Sequence, residues 1–375
     1  MKTIKLFIHN LIKAILQFAI LPIFYILYKK QKIKSNLVIF ADSKNDGIPY
    51  SMFSMYKMIK NTGRYDIKIL CKDYSKLNIL EKFYEIFKFM KLYANAKYIF
   101  LCDYFLPVSS CNKRKETIVV QLWHSSGLQK KFGYDAEDDL GNMLFCKPTK
   151  NFDLVSVSSE KVKEIFEKAW RTKENCVKAF GTVRTDILFD KDYKRKCIEL
   201  FYDKYPEARN KKIILWAPTF RGNAVDKYLI GLDDILKVKD ALADDFYLII
   251  KLHPRLKEKE IYDNCVLNTE ELCFVTDILI TDYSSIMYDF LLLNKKIIFY
   301  IPDYKKYSVE RGMYIDYKLE FNFPITYNAE EIINSIKSYK ISSDLLTKYK
   351  EKFINMNDGN VSLRLLKYLE NNNNN

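Results

Sequence analysis

The stretch DILITDYSSIMYDFLLLN, residues 277–294, decides the fold. Residues 278–280 are an unbroken aliphatic run, Thr281, Asp282, Tyr283, Ser284 and Ser285 break out of it, and an apolar helical pattern follows. A strand buried on both faces reads as such a run, and strand, polar turn and helix in this order make half of a parallel βαβ unit. Two roles fit the turn. Its hydroxyls, with the unpaired amides of a first helical turn, can donate to a phosphate, or Ser284 or Ser285 can cap the helix.

The same rhythm extends outward in both directions. KIIFYIP (296–302) follows, and CVLNT (265–269), FYLIIKLHP (246–254) and KIILWAPTF (212–220) precede as further strands of one series. A charged stretch, 190–212, separates these from an earlier set: NLVIFAD (36–42), DIKILC (66–71), AKYIFLC (96–102), ETIVVQLW (116–123) and FDLVSVS (152–158). Apolar strands alternating with helical segments predict two open α/β domains, with a boundary near residue 205. The expected division is 1–30 as a membrane-associating segment, 31–205 and 206–370 as the two domains, and 371–375 as a disordered polar tail.

A chain of 375 residues that is 49% apolar has enough material for two cores. Its net charge of +14 favours anionic partners. Basic residues are dispersed among acidic ones and the aromatics fall in apolar runs, which is not the pattern of a nucleic-acid binder. The eight cysteines show no CxxC spacing and only three histidines accompany them, so no zinc site is expected and the thiols read as reduced, as in the cytosol.

Residues 14–28, AILQFAILPIFYILY, carry no charge and are flanked by Lys2, Lys5 and Lys13 on one side and by Lys29, Lys30, Lys32 and Lys34 on the other. The run falls short of the ~20 residues of a comfortable span. Cations at both ends suit a segment lying on an anionic leaflet. Pro22 is expected to kink or end any helix there.

Ligands of open α/β sheets gather beyond the carboxyl ends of the strands, so polar residues at those ends are candidates. His124, in VVQLWHSSGLQKKFG, is either a proton acceptor near neutral pH or a strand cap; the basic pair Lys130 and Lys131 follows it. His253, in KLHP between Lys251 and Arg255, can assist at a phosphoryl group if it shares a cleft with His124. Arg221, in WAPTFRG, can pair bidentately with a phosphate or form a salt bridge across the domain boundary.

QLWHSSGLQKKFG (121–133), WAPTFRG (216–222), KLHP (251–254), DILITDYSS (277–285), KKIIFYIPDYKKYSVERGMYIDY (295–317) and NDGNVSLRLLKYL (357–369) together resemble the CDP-glycerol glycerophosphotransferases of teichoic acid and related polymer synthesis, in order and approximate spacing. The short, single-module, primase-like members resemble it most. The resemblance implies a GT-B-like enzyme, two Rossmann-like domains facing across a cleft, that transfers glycerol phosphate from CDP-glycerol to a hydroxyl of an undecaprenyl-diphosphate-linked saccharide or polymer and releases CMP. It implies an acceptor-side first domain and a nucleotide-donor second domain. His124 would be the base and His253 would assist at the donor phosphates. Thr281, Ser284 and Ser285 would hold the pyrophosphate, with Arg221 and Asp282 as further members and Arg311 and Gly312 near the nucleotide.

No cofactor is required by this scheme, and it leaves room for a weakly held Mg²⁺. The expected location is the cytoplasmic face of the membrane, as a peripheral protein. Two departures from the family pattern, Ser125-Ser126-Gly127 after the tryptophan–histidine pair and Trp216 before Ala-Pro-Thr, bear on the acceptor more than on the transferred group. The alternatives are a CDP-ribitol or other alditol donor, a nucleotide-sugar glycosyltransferase of the same fold, and, remotely, a nucleic-acid binder.

Overall fold

The computed structural model describes residues 11–372 except 12, 223–226, 253–255, 257 and 264. The chain divides into two compact units. The first comprises residues 1–125, 132–186 and 356–375, the second residues 126–131 and 187–355. The expected boundary at 205 therefore differs from the observed division. The helix Lys191–Lys204, N-capped by Asp190, packs in the second unit, and the carboxyl-terminal segment returns to the first.

In the first unit β1 (Lys34–Asp42), β2 (Asp66–Cys71), β3 (Ala96–Leu101), β4 (Ile118–Gln121), β5 (Leu154–Ser156) and β6 (Val177–Lys178) form a sheet of order β2-β1-β3-β4-β5-β6. Every pairing in it is parallel. The helix Val361–Asn371 buries Val361, Leu365 and Leu369 beside Met52, Met55 and Ile59 of the helix Tyr50–Asn61, over Val38 and Phe40 of β1. Asn371, expected in the tail, closes that helix; residues 373–375 lie outside the described residues.

In the second unit β7 (Lys212–Ala217), β10 (Phe246–Ile250), β11 (Ile278–Thr281), β12 (Lys296–Tyr300) and β13 (Ile325–Thr326) form a parallel sheet of order β10-β7-β11-β12-β13. β8 (Arg221–Gly222) and β9 (Lys227–Tyr228) make a small antiparallel ribbon. Strand alternation divides the core cleanly. Ile213, Leu215, Leu279 and Ile297 enter one cluster, whereas Ile214, Trp216, Ile280 and Ile298 enter the other, on the opposite face. CVLNT is not a strand. Cys265 and Leu267 are buried coil, and Asn268 with Glu271 forms a capping box that starts the helix Thr269–Val275.

The amino-terminal apolar run is a wide π turn, Leu16–Ile20, followed by the helix Leu21–Tyr28. Pro22 does not end it. Proline sits in the first turn of that helix, where its missing N–H costs no hydrogen bond. The segment is not a detached anchor: Gln17, Leu21 and Tyr25 are fully buried against the first unit. No described helix is long and apolar enough to cross a membrane.

Candidate active site

Each sheet has one place where successive connections leave in opposite directions, and ligands of such sheets bind there. In the first unit this point lies between β1 and β3, in the second between β7 and β11.

At the first point, β4 ends on Gln121 and the chain turns sharply at Trp123, whose φ of 57° is a backbone conformation that bulky residues rarely hold. The turn is held from two sides. The Trp123 N–H donates to Gln121 Oε1 at 3.0 Å, and its indole meets the Trp170 ring edge-on at 4.9 Å. The turn frees His124 from the sheet, with 46% of its side chain exposed.

His124 Nδ1 lies 3.1 Å from the Cys102 carbonyl oxygen and 3.8 Å from Asp103 Oδ2. A carbonyl only accepts, so Nδ1 carries the proton and Nε2 keeps a lone pair in the neutral ring. Crowding by protein pushes the imidazole pKa below its ordinary value, Asp103 pulls it up, and Lys44 and Arg184 add to the lowering. Such a histidine is neutral at pH 7. Asp103 is ion-paired to Lys44, whose backbone N–H donates to Asp42 Oδ2 at 2.9 Å. Thus the ends of β1, β3 and β4 converge on one imidazole.

At the second point the TDYSS turn is built differently from the expectation. The Thr281 hydroxyl is buried and donates to the Ala217 carbonyl at 2.7 Å, so it ties β11 to β7. Asp282 accepts from the Thr219 N–H at 2.9 Å and from Arg221 Nη1 at 2.8 Å. Arg221, 5% exposed, also grips Asp303 through Nε at 2.5 Å and Nη2 at 2.9 Å. Its guanidinium lies 5.0 and 4.8 Å from the ring centres of Tyr283 and Tyr307, which stack on each other at 3.9 Å.

Arg221 thus pairs bidentately with a carboxylate of its own unit, Asp303, and not with a group across the boundary. Burial alone would depress its pKa; Asp303 and Asp282 outweigh that and raise it.

Ser284 and Ser285 are half-buried at the start of the helix Ile286–Leu292, and the Ile286 N–H reaches Ser284 Oγ only at 3.5 Å. Residues 126–131 lie alongside as a strap. Gln129 Nε2 donates to the Ser284 carbonyl at 2.9 Å, the Lys131 N–H to the Gly312 carbonyl at 3.1 Å, and the Tyr314 N–H to the Gln129 carbonyl at 2.8 Å. Gly312 is needed at φ 72°, where a Cβ would meet the Lys131 side chain at 2.8 Å. Arg311 stands at the end of the helix Tyr304–Arg311.

Lys130, centred in the strap, makes no hydrogen bond or ion pair among the described residues. Its pKa is lowered to about 8 by burial, with Asp282 opposing and Arg311 and Arg221 reinforcing. Arg221, Lys130 and Arg311 against Asp282 and Asp303 leave this cluster cationic, which suits an anion.

His253 and Arg255 lie outside the described residues, and the neighbouring Lys251 is tied to Asp263 at 3.3 Å and to the Cys265 carbonyl at 2.6 Å. Asp103, Lys44 and Asp303 were missed by reading strand ends, because short acidic and basic residues after strands are common and carry no distinguishing pattern. Lys130 stood in plain view beside His124. Among the described residues no three His, Cys, Asp or Glu side chains cluster as a metal site would require. All eight cysteines are buried and none forms a disulfide.

Two parallel Rossmann-like units of this kind define a GT-B-like fold. A structure of the wall teichoic acid polymerase TagF, H548A, shares it with a TM-score of 0.71 at 20% identity, covering 99% of this chain and 98% of that one. The chain belongs to the CDP-Glycerol:Poly(glycerophosphate) glycerophosphotransferase family, whose model matches residues 23–371. It is 31% identical over 377 residues to a teichoic acid poly(ribitol-phosphate) polymerase of Bacillus spizizenii, covering 96% of this chain but 59% of that protein. It is 33% identical over 308 residues to a teichoic acid glycerol-phosphate primase of Bacillus subtilis, covering 76% of each.

Proposed function

We propose that the protein moves glycerol phosphate from CDP-glycerol to a hydroxyl of a lipid-linked saccharide or growing polymer and releases CMP. The observation that carries this reading is His124: a lowered pKa, Nδ1–H fixed on a carbonyl, and Nε2 free to take a proton. An acceptor hydroxyl is a poor nucleophile until its proton has somewhere to go. In the proposed step the acceptor oxygen bonds to the phosphorus that bears glycerol, its proton passes to Nε2, the bond to the bridging oxygen breaks, and CMP leaves with that electron pair.

The second unit holds the donor. Lys130, Arg311 and the hydroxyls of Ser284 and Ser285 contact the diphosphate, while Arg221 and Asp282 shape the turn that presents them. Gly312 gives the strap its close approach, and Thr281 pins the strand beneath. His253 is retained as a second group at the donor phosphates. The protein works as a peripheral enzyme on the cytoplasmic face of an anionic membrane, supported by the exposed apolar row between lysines at the amino terminus.

A second reading, CDP-ribitol as donor, is favoured by the poly(ribitol-phosphate) polymerase among the relatives. Incubation with each CDP-alditol and a lipid-linked disaccharide analogue, followed by phosphorus NMR, tests both. CMP and a new phosphodiester are expected; release of a nucleoside diphosphate would instead mark a glycosyltransferase.

A further inference from the structure

The helix Leu21–Tyr28 has two unlike faces. One is fastened: Leu21 and Tyr25 are buried, the Tyr25 hydroxyl accepts from the Arg114 N–H at 2.9 Å, and Phe24 meets Phe87 with ring centres 4.2 Å apart. Gln17, just before it, donates to Ser109 Oγ at 2.8 Å and to the Cys146 carbonyl at 2.6 Å. The other face holds Ile23, Ile26 and Leu27, which are 58%, 62% and 59% exposed, and Phe18 in the preceding turn is 44% exposed. A surface helix of a water-facing protein carries polar residues there.

At the carboxyl end of this row a surface pocket of about 850 Å³ opens, and Ile26 forms part of its wall. The rest of the wall is strongly basic, with Lys29, Lys30, Lys113, Arg114 and Lys115 against the single acid Glu116. Lys113 is neutralised by Asp153 at 2.8 Å. Lys29, Lys30 and Lys115 form no ion pair among the described residues. The Arg114 guanidinium is held by one bond, from Nη2 to the Gln31 carbonyl at 2.7 Å, and its buried Nε has no hydrogen-bond partner. A buried donor left unmatched is costly, and the residue that carries it lines the pocket.

We propose that this pocket receives the phosphodiester headgroup of an anionic glycerophospholipid while the adjoining apolar row enters the acyl boundary of the same leaflet. Ile26 belongs to both features, so the pocket opens where the apolar row gives way to cations. That is the level at which headgroup phosphates lie over an interfacial helix. The inference rests on the membrane reading given above and adds to it a defined lipid site. The helix is held rigidly by its buried face, so the pocket is formed before the lipid arrives.

The test is sedimentation of the full chain with vesicles of phosphatidylcholine alone and of phosphatidylcholine with phosphatidylglycerol. Lys30→Ala/Lys115→Ala removes two exposed pocket cations without touching a buried group; it should weaken binding to the phosphatidylglycerol vesicles roughly tenfold to thirtyfold. The control Lys239→Ala/Lys348→Ala, an equal loss of charge in the second unit, should leave that binding unchanged. Ile23→Ser/Leu27→Ser should abolish sedimentation with both vesicles. Equal losses in the pocket and control variants, or none in the pocket variant, would overturn the lipid site and leave the membrane reading standing. A wild-type chain that sediments with neither vesicle would overturn both. Both surface variants should keep wild-type turnover on a soluble acceptor.

Discussion

His124 Nδ1 and the Cys102 carbonyl oxygen stand 3.1 Å apart, and this contact joins the end of β4 to the end of β3. It fixes which ring nitrogen is the base. Replacement of His124 by alanine should lower turnover by roughly 10² to 10⁴. Affinity for CDP-glycerol, measured by calorimetry, should stay near wild type, because the groups proposed to hold the donor belong to the second unit. Wild-type turnover in His124→Ala under conditions where chemistry limits the rate would make the residue structural.

The pH profile supplies a separate check. A base must be neutral, and the His124 pKa is lowered, so activity should persist into mildly acidic solution and fall only below the usual histidine range. Asp103, whose carboxylate is 3.8 Å from Nδ1, favours the protonated ring. Asp103→Asn should therefore move the acid limb to still lower pH. A limb that moves upward would mean that Asp103 acts through the orientation of the ring rather than through its charge.

Lys130 should be the cation that responds to the donor. Loss of one charge-assisted contact costs about 2 kcal/mol, so Lys130→Ala should weaken CDP-glycerol binding roughly thirtyfold. With a pKa lowered to about 8, the free protein loses this charge as the pH rises through that value, and affinity should decline there. Lys130→Arg, which cannot deprotonate, should remove that decline. Unchanged affinity in Lys130→Ala across pH 6–9 would exclude the role.

Arg221 calls for a measurement of stability. Its removal leaves Asp282 and Asp303 facing each other in a buried site, a loss of about 3–5 kcal/mol. Arg221→Ala should therefore shift the denaturant midpoint as well as donor binding. Normal stability with lost binding would show that the guanidinium reaches the phosphate after all.

The strap offers a fifth check. Gly127 has φ +63°, and a Cβ there would stand 2.2 Å from the Tyr288 ring, whose hydroxyl donates to the Leu128 carbonyl at 2.6 Å. Gly127→Ala should displace the strap and lower CDP-glycerol affinity while far-ultraviolet circular dichroism stays unchanged. Wild-type affinity would detach the strap from the donor site.

Much of the fold was legible because buried parallel strands leave long apolar runs. Nine of the main strands announce themselves so, while β6 and β13, two residues each, carry no pattern at all. CVLNT misled because burial of Cys265 and Leu267 produces the same apolar signature in coil as in a strand. The helix Val361–Asn371 is plainly amphipathic, yet amphipathicity does not say which sheet receives it. At the site, the place of His124 just beyond a strand end, with its side chain half exposed, was readable from the sequence. The role of Arg221 was not, since Asp303 lies 82 residues further along the chain and pairing at that range leaves no local trace.

The first unit is assembled from three segments of chain and the second from two, with residues 126–131 contributed by a short excursion that returns at Phe132. No single cut separates them. A fragment beginning at Ile187 would keep the TDYSS turn but lack Lys130, and one ending at Asp186 would lack the helix that covers β1. Neither unit is one continuous stretch, so replacing either with that of a relative would mean carrying two or three separate segments together.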